Sequence, residues 1–342
     1  MTTTIDISAG TNRVRAFLSG GRMRELGILL ALGLVILAAT LTNPKFLFSG
    51  DGWRDLLLTP APLLLVTIGQ AFVIITRNVD ISVGSIVGLT AYMTGWLFAT
   101  FPGIPIPLVV LASVLFGAFL GLVNGALVAF AKVPAMVITL GTLYAFRGIN
   151  VLWTGSDRIN PSDMPKPFLA FGTAQFLTIP VLTIVAVAVL VVAAWYLANM
   201  RSGRELYAIG SDPQAANLYG LKTTRRVLTA FIVSGTLSGL AGVFYAARYG
   251  TVDSQAAMGW EFNAIGAAVI GGVAIVGGVG TVWGAAIGAF LLMTINRALP
   301  IVGIPDFWQQ AVVGVLIIGA IVLDRVLALR QKRRLIETRD NA

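Results

Sequence analysis

The chain has 342 residues, 57% of them apolar and only 11% charged, with a net charge of +9 and a mean hydropathy of +0.86. So few charges do not cover the surface of a water-soluble fold of this size, whereas lipid solvates apolar side chains directly. Cysteine and histidine are absent and no GxxxxGK[ST] occurs, which excludes disulfides, thiolate nucleophiles, His-ligated haem, ordinary zinc sites, His-dependent nucleophiles and a P-loop in this chain.

Residues 1–24 are a polar, Ser/Thr-rich tail without the apolar centre of a cleaved signal peptide. Ten apolar stretches follow, at about 25–43, 60–76, 81–100, 107–130, 134–152, 176–198, 227–247, 261–276, 282–299 and 307–327. Most have the length a helix needs to cross about 30 Å of hydrocarbon. The expected fold class is an all-α polytopic membrane protein with about ten transmembrane helices. Its transmembrane domain covers 25–327, contains a cytoplasmic segment at 199–226, and precedes a tail at 328–342. An even number of spans puts both termini on one side. Placing that side in the cytoplasm gathers most Lys and Arg there, including Arg13 to Arg24, Arg201 to Arg226 and Arg325 to Arg339, as the positive-inside rule requires. The positive excess is then explained by anionic lipid and not by nucleic acid.

Within this frame the polar interruptions carry the information. Small residues recur at helical spacing in Gly117–Gly121–Gly125, Gly235–Gly239–Gly242 and Gly284–Gly288, the pattern that lets helix backbones approach in lipid. Arg77, Asn78 and Asp80 separate two spans, and Asp80 with Ser82 before an apolar run reads as a helix N-cap. The cluster is either a structural hinge or part of a solute path. Asn124 either bonds across helices or lines such a path, and Thr139 lies one span further on. Arg147 either snorkels from its span or meets a docking partner or an acidic helix-capping group. Trp53, Trp153, Trp260 and Trp308 fall near expected outer ends, as interfacial aromatics do.

In the cytoplasmic segment, Asp212 and Pro213 open a short helix that Gly220 closes. It is too short to stand alone in water. It suits docking into a partner, with Ala215 and Ala216 allowing close approach, or is a plain connector. Glu261 and Asn263 are expected to open the eighth span from outside. Glu261 then serves the helix dipole or receives a solute or partner. The run from Gly271 and Gly272 to Gly280 is too glycine-rich for a continuous helix. It forms either a half-helix break against a pathway or an interfacial turn.

These stretches together resemble the permease subunits of bacterial ATP-driven (ABC) monosaccharide importers of the ribose-type family. The resemblance runs through Val73 to Ser85, Asn124-Gly125, Val133 to Leu143 with Arg147-Gly148, Gly203 to Gly220, and Glu261 to Gly272 with Gly277 to Thr281, and so covers nearly the whole chain. Thr76 to Asp80, Trp153 to Gly155 and Ile304 to Trp308 look most like permeases for the quorum signal autoinducer-2 or the deoxysugar rhamnose. The resemblance implies a multi-pass protein of the bacterial inner membrane, with no catalytic residue, metal or cofactor of its own. It implies a second permease, identical or related, and two copies of a cytoplasmic ABC ATPase, or a fused one, that holds ATP and Mg2+. It also implies a periplasmic sugar-binding protein.

Arg204, Asp212, Pro213, Gln214, Ala215, Ala216 and Gly220 become the expected coupling residues. Such permeases often carry Glu-Ala-Ala-x-x-x-Gly there, whereas this chain has Gln214 in place of the acid. Asp80, Ser82, Asn124, Thr139, Glu261, Asn263, Gly271 and Gly272 become the expected path or gating residues. The rival class is an ion-gradient secondary transporter, which favours intramembrane carboxylates; none stands well inside an expected span.

Overall fold

The computed structural model describes residues 21–322 apart from positions 132, 156, 306, 307, 309, 317, 320 and 321. The expected tails at 1–24 and 328–342 therefore fall largely or wholly outside the described residues, and so does about half of the last expected span, 307–327.

The bundle is organised around α4 (Ala61–Ile75). This helix is apolar almost all round, as a core helix must be, and every one of its residues is buried. It is reached from the peripheral helix α1 (Gly21–Thr42) through two short helices, α2 (Lys45–Phe48) and α3 (Gly50–Leu58). Against it pack α9 (Val181–Asn199), α12 (Thr223–Tyr249) and α14 (Val282–Ile301), while α5 (Val83–Thr100) and α6 (Ile106–Ala131) pack on α12 and α7 (Ala135–Thr154) packs on α5. Helix α8 (Lys166–Thr173) and a small hairpin precede α9. In the hairpin, β1 (Gln175–Phe176) pairs antiparallel with β2 (Ile179–Pro180). Two further helices, α10 (Arg201–Ser211) and α11 (Pro213–Leu218), lie at what we term the basic end of the bundle.

Helix α12 crosses α6 at the glycines picked out in the sequence. A Cβ at Gly117 or Gly121 would run into the carbonyls of Gly235 and Phe231, and one at Gly242 into Thr90 of α5. Backbone-to-backbone packing of this kind takes the place of the hydrophobic drive that lipid does not supply.

Eight helical stretches among the described residues are long and apolar enough to cross a membrane, and each overlaps an expected span, although the stretch Gly50–Ile75 starts ten residues before the span expected at 60–76. The span expected at 261–276 is corrected. Helix α13 (Trp260–Ile270) has 11 residues, about 16 Å of rise, too short to cross. It stops because Gly272, Gly277, Gly278 and Gly280 all take positive φ, a turn conformation open to glycine.

Nor does α13 begin at the far end of the bundle. After α12 the chain descends along α5. Val252 exchanges backbone hydrogen bonds with Ile159, whose side chain packs on Gly95. The Ala256 carbonyl lies against Gly88, and the Glu261 carboxylate against Gly84. Gly95 to Gly84 is three turns of helix, about 16 Å. Because Gly242 packs on Thr90 and Ala91, Gly84 lies level with the middle of α12. Glu261 and Asn263 thus open a half-helix at depth. Trp260 packs on Tyr245 at 5.6 Å, one turn before the end of α12.

Candidate functional site

Helix α4 ends in a turn that sends the chain back into the bundle. The N–H groups of Arg77 and Asn78 donate to the carbonyls of Ile74 (2.8 Å) and Val73 (3.2 Å), the helix-ending pattern that usually places glycine where Arg77 sits. Arg77 accepts φ +67°, a conformation that costs a side-chain-bearing residue about 1–2 kcal/mol. The reversal brings Asp80 beside Gln70 of α4, whose amide donates to the Asp80 carbonyl (3.1 Å) and accepts from its N–H (3.2 Å).

A fully buried polar knot follows. Asp80 Oδ1 accepts from the N–H (2.9 Å) and hydroxyl (2.6 Å) of Ser82. The Asn124 amide of α6 donates to the same hydroxyl at 2.6 Å. Thr139 of α7 accepts from the Ile81 N–H at 3.1 Å. Asp80, Ser82, Asn124 and Thr139 are all 0% exposed, so four of the expected path residues meet in one place. The expected N-cap is not what unites them. Ser82 stands at the N-cap of α5 without a side-chain capping bond. The Asp80 carboxylate instead closes a local turn through Ser82. Asp80 Oδ2 and Asn124 Oδ1 have no partner among the described residues, an uncommon state for buried polar atoms.

A second group continues the first along α7. Arg147 donates to the Ala256 carbonyl at 2.9 Å and Asn150 to the Ser254 carbonyl at 3.2 Å, so both hold the descending segment. Gly84 and Gly88 leave the space that Glu261, Arg147 and Asn150 occupy. Glu261 is 5% exposed, and its Oε2, like Arg147 Nη2, has no hydrogen-bond partner among the described residues. Two carboxylates, Asp80 and Glu261, therefore lie in the interior, where the sequence suggested none. Asn263 is only half-buried, and Gly271 and Gly272 sit at the opposite end of α13, where Gly271 packs on Gly284; these three do not join the knot. Gln70 and Asn150 were missed. Asn150 was legible, because Thr139, Thr142, Asn150 and Thr154 fall on one buried helical face of an otherwise apolar run.

At the basic end, Asp212 Oδ1 accepts from the N–H groups of Gln214 (2.9 Å) and Ala215 (3.0 Å), with Pro213 in the first turn. Gly220, at φ +77°, closes α11, while Leu221 and Gly220 donate to the Ala216 and Asn217 carbonyls at 3.0 Å. This is the short helix read from the sequence. Its faces differ from that reading: Ala216 is buried within the chain, and the outward tip is Leu218 and Tyr219, 89% and 87% exposed.

Helix α10, absent from the sequence reading, carries this tip. Glu205 joins it to α12 by an ion pair to Arg226 (2.5 Å) and pairs within α10 with Arg201 (2.9 Å). Its carboxyl is held below the ordinary range, first by the Arg226 bond and then by Arg201. Arg204 donates to the Asn199 carbonyl at 2.9 Å on the flank facing α9. Arg201, Gly220, Lys222, Arg225 and Arg226 help to enclose a basic cleft of ≈260 Å3 beside α11.

The two regions touch. Gly210 of α10 abuts the Ile75 carbonyl and Gly278, and Gly278 donates to that carbonyl at 3.0 Å. Ile75 is the last residue of α4 before the turn that holds Asp80.

A family model described as branched-chain amino acid transport system / permease component matches residues 54–321. Among curated proteins, the chain is similar to the autoinducer 2 import system permease protein LsrC of Salmonella paratyphi B, at 37% identity over 80% of this chain and 78% of that one. Its counterpart in Enterobacter sp. strain 638 is 35% identical over 88% and 86%, and that of Escherichia coli K12 33% identical over 91% and 90%. No solved structure matches.

Proposed function

The chain belongs to the branched-chain amino acid transport system / permease component family, as a multi-pass inner-membrane subunit of an importer, and from that premise we propose that it carries a small sugar-like solute, autoinducer-2 first, with rhamnose or ribose-like sugars as alternatives. The similar proteins are named for autoinducer 2 import, which supports that substrate over a branched-chain amino acid. The basic end faces the cytoplasm and both termini lie there; the expected ten crossings are made up of the eight stretches, the whole descending segment 250–281, of which α13 is only a part, and 307–327. Two such permeases, identical or related, enclose the path. A periplasmic binding protein delivers the solute, and two copies of an ABC ATPase, or a fused one, supply ATP and Mg2+ chemistry. This chain makes and breaks no covalent bond.

The observation that carries this reading is the continuous contact from α11 through α10 and Gly210 to Ile75, and from there to the buried Asp80 turn. Asp212, Pro213, Gln214, Ala215, Ala216 and Gly220 shape the tip that docks into the ATPase, and Arg204 anchors its base. Leu218 and Tyr219 insert, and the basic cleft receives an acidic group of the ATPase. Closure of the ATPase pair then displaces α10. Asp80, Ser82, Asn124, Thr139 and Glu261 respond as the gate, while Asn263, Gly271 and Gly272 let α13 hinge. The knot is tightly closed here, consistent with a barrier that must be opened for each solute. Buried carboxylates alone would also suit ion coupling, but the family assignment favours ATP.

The test is purification of the tagged protein from its native membrane in mild detergent, with mass spectrometry of the co-purifying chains. A P-loop ATPase in near-equal amount, and a binding protein that binds autoinducer-2 in preference to leucine, are expected. A stable complex without an ATPase overturns the ATP-driven reading, and a binding protein selective for leucine overturns the substrate.

A further inference from the structure

At the basic end, a groove of ≈440 Å3 opens between the last turn of α9, the first turn of α14 and the flank of α10. Its walls are apolar, built largely by Leu197, Ala198, Val282 and Trp283. Arg204 lines it, and so does Tyr207, which is fixed by a 3.1 Å hydrogen bond from its hydroxyl to the Gly280 carbonyl. Thr281, which also lines the groove, donates its hydroxyl to Glu25 at 2.7 Å. Arg204 forms no ion pair among the described residues, in contrast to Arg201 and Arg226, which share Glu205. One guanidinium nitrogen serves the Asn199 carbonyl, and the remaining donors of its fork are available to a ligand.

Both helices end here, so in the orientation proposed above the groove sits at the headgroup level of the cytoplasmic leaflet. Exposed Trp195 and Trp283 mark the same level, as interfacial tryptophans do. An apolar slot open to lipid, with one cation at its polar rim, matches an acyl chain joined to a phosphate. We propose that this groove binds an anionic glycerophospholipid, its phosphate on Arg204 and one acyl chain along α9 and α14. The bound lipid steadies the base of the segment that carries α11.

The test is native mass spectrometry of the full complex, delipidated in detergent and titrated with phosphatidylglycerol, phosphatidylcholine or inorganic phosphate. Micelles have no leaflets, so the result does not depend on the proposed orientation or on the substrate. Wild type is expected to retain phosphatidylglycerol over phosphatidylcholine. Arg204→Gln should weaken retention about fivefold, Arg204→Lys should restore much of it, and Trp283→Ala should weaken it less. Arg158→Gln, at the far end, should leave it unchanged. Equal retention by Arg204→Gln overturns the site. Displacement of the lipid by inorganic phosphate shows a free-anion site instead, and retention by the permease stripped of its ATPase but not by the full complex shows that a protein covers the groove. If Arg204→Gln fails to assemble, the wild-type competition with phosphate decides by itself.

Discussion

Asp80 and Asp212 each close a turn by accepting hydrogen bonds from residues just ahead of them in the chain. They differ in what lies beyond the carboxylate. Asp80 leads into other helices: Ser82 takes a bond from Asn124 of α6, and Ile81 gives one to Thr139 of α7. Asp212 serves only its own helix, whose tip points away from everything else in the chain. One turn chemistry joins helices in the interior and presents a helix at the surface. Damage at Asp80 should therefore be felt as lost stability together with lost transport. Damage at the α11 tip should be felt as lost coupling alone.

The largest effect is expected from Asp80→Ala, which orphans the buried N–H and hydroxyl of Ser82. Unsatisfied buried groups cost about 1–3 kcal/mol each. The melting midpoint should fall by several degrees and uptake by tenfold or more, measured by fluorescence-detected melting and by solute uptake in vesicles. A stable variant with normal uptake would break the contrast. Next, Leu218→Ser combined with Tyr219→Ser should leave the melting midpoint of the isolated permease unchanged. It should cut the co-purifying ATPase about tenfold, as loss of an interfacial anchor does. A matching fall in stability would place the tip inside the fold after all.

Gly220→Val forces a β-branched residue into φ +77°, at about 1–2 kcal/mol, with open space around the new side chain. Membrane insertion and assembly should persist while solute-stimulated ATP hydrolysis falls severalfold; hydrolysis at the wild-type level would remove α11 from the coupling route. The smallest effect concerns Glu205. Its depressed carboxyl stabilises the α10–α12 junction at and above the ordinary carboxylate range, and that contribution is lost as pH falls through the lowered value. Proteolysis of 199–226 should be flat from pH 7 to about 5 and rise only below about pH 4. A rise between pH 6 and 7 would point to another group.

Much of this was legible in the sequence because lipid simplifies the code. Long apolar runs mark spans, glycines at helical spacing mark the α6–α12 crossing, and Asp212, Pro213 and Gly220 fix α11 by local chemistry alone. Helix α13 was misread because composition does not report depth. Glu261 follows a polar stretch that suggests a surface, and only the row of glycines along α5 lets that stretch run inside. The gathering of Asp80, Ser82, Asn124 and Thr139 was likewise hidden, since it depends on which helices become neighbours. Leu218 and Tyr219 escaped notice because two apolar residues in a membrane protein carry no signal until their exposure is known.

The contact of Gly210 with Ile75 and Gly278 has a mechanical consequence. Side chains between two moving elements act as springs, since rotamers yield before backbones do. At this junction the springs have been removed, and main chain bears directly on main chain. On the proposed coupling route, a shift of α10 by a fraction of an ångström would reach the end of α4 without being absorbed, so the stroke delivered at the tip and the stroke arriving at the Asp80 turn should be nearly the same size. A methyl group at Gly210 would therefore act as a shim, holding the joint permanently displaced.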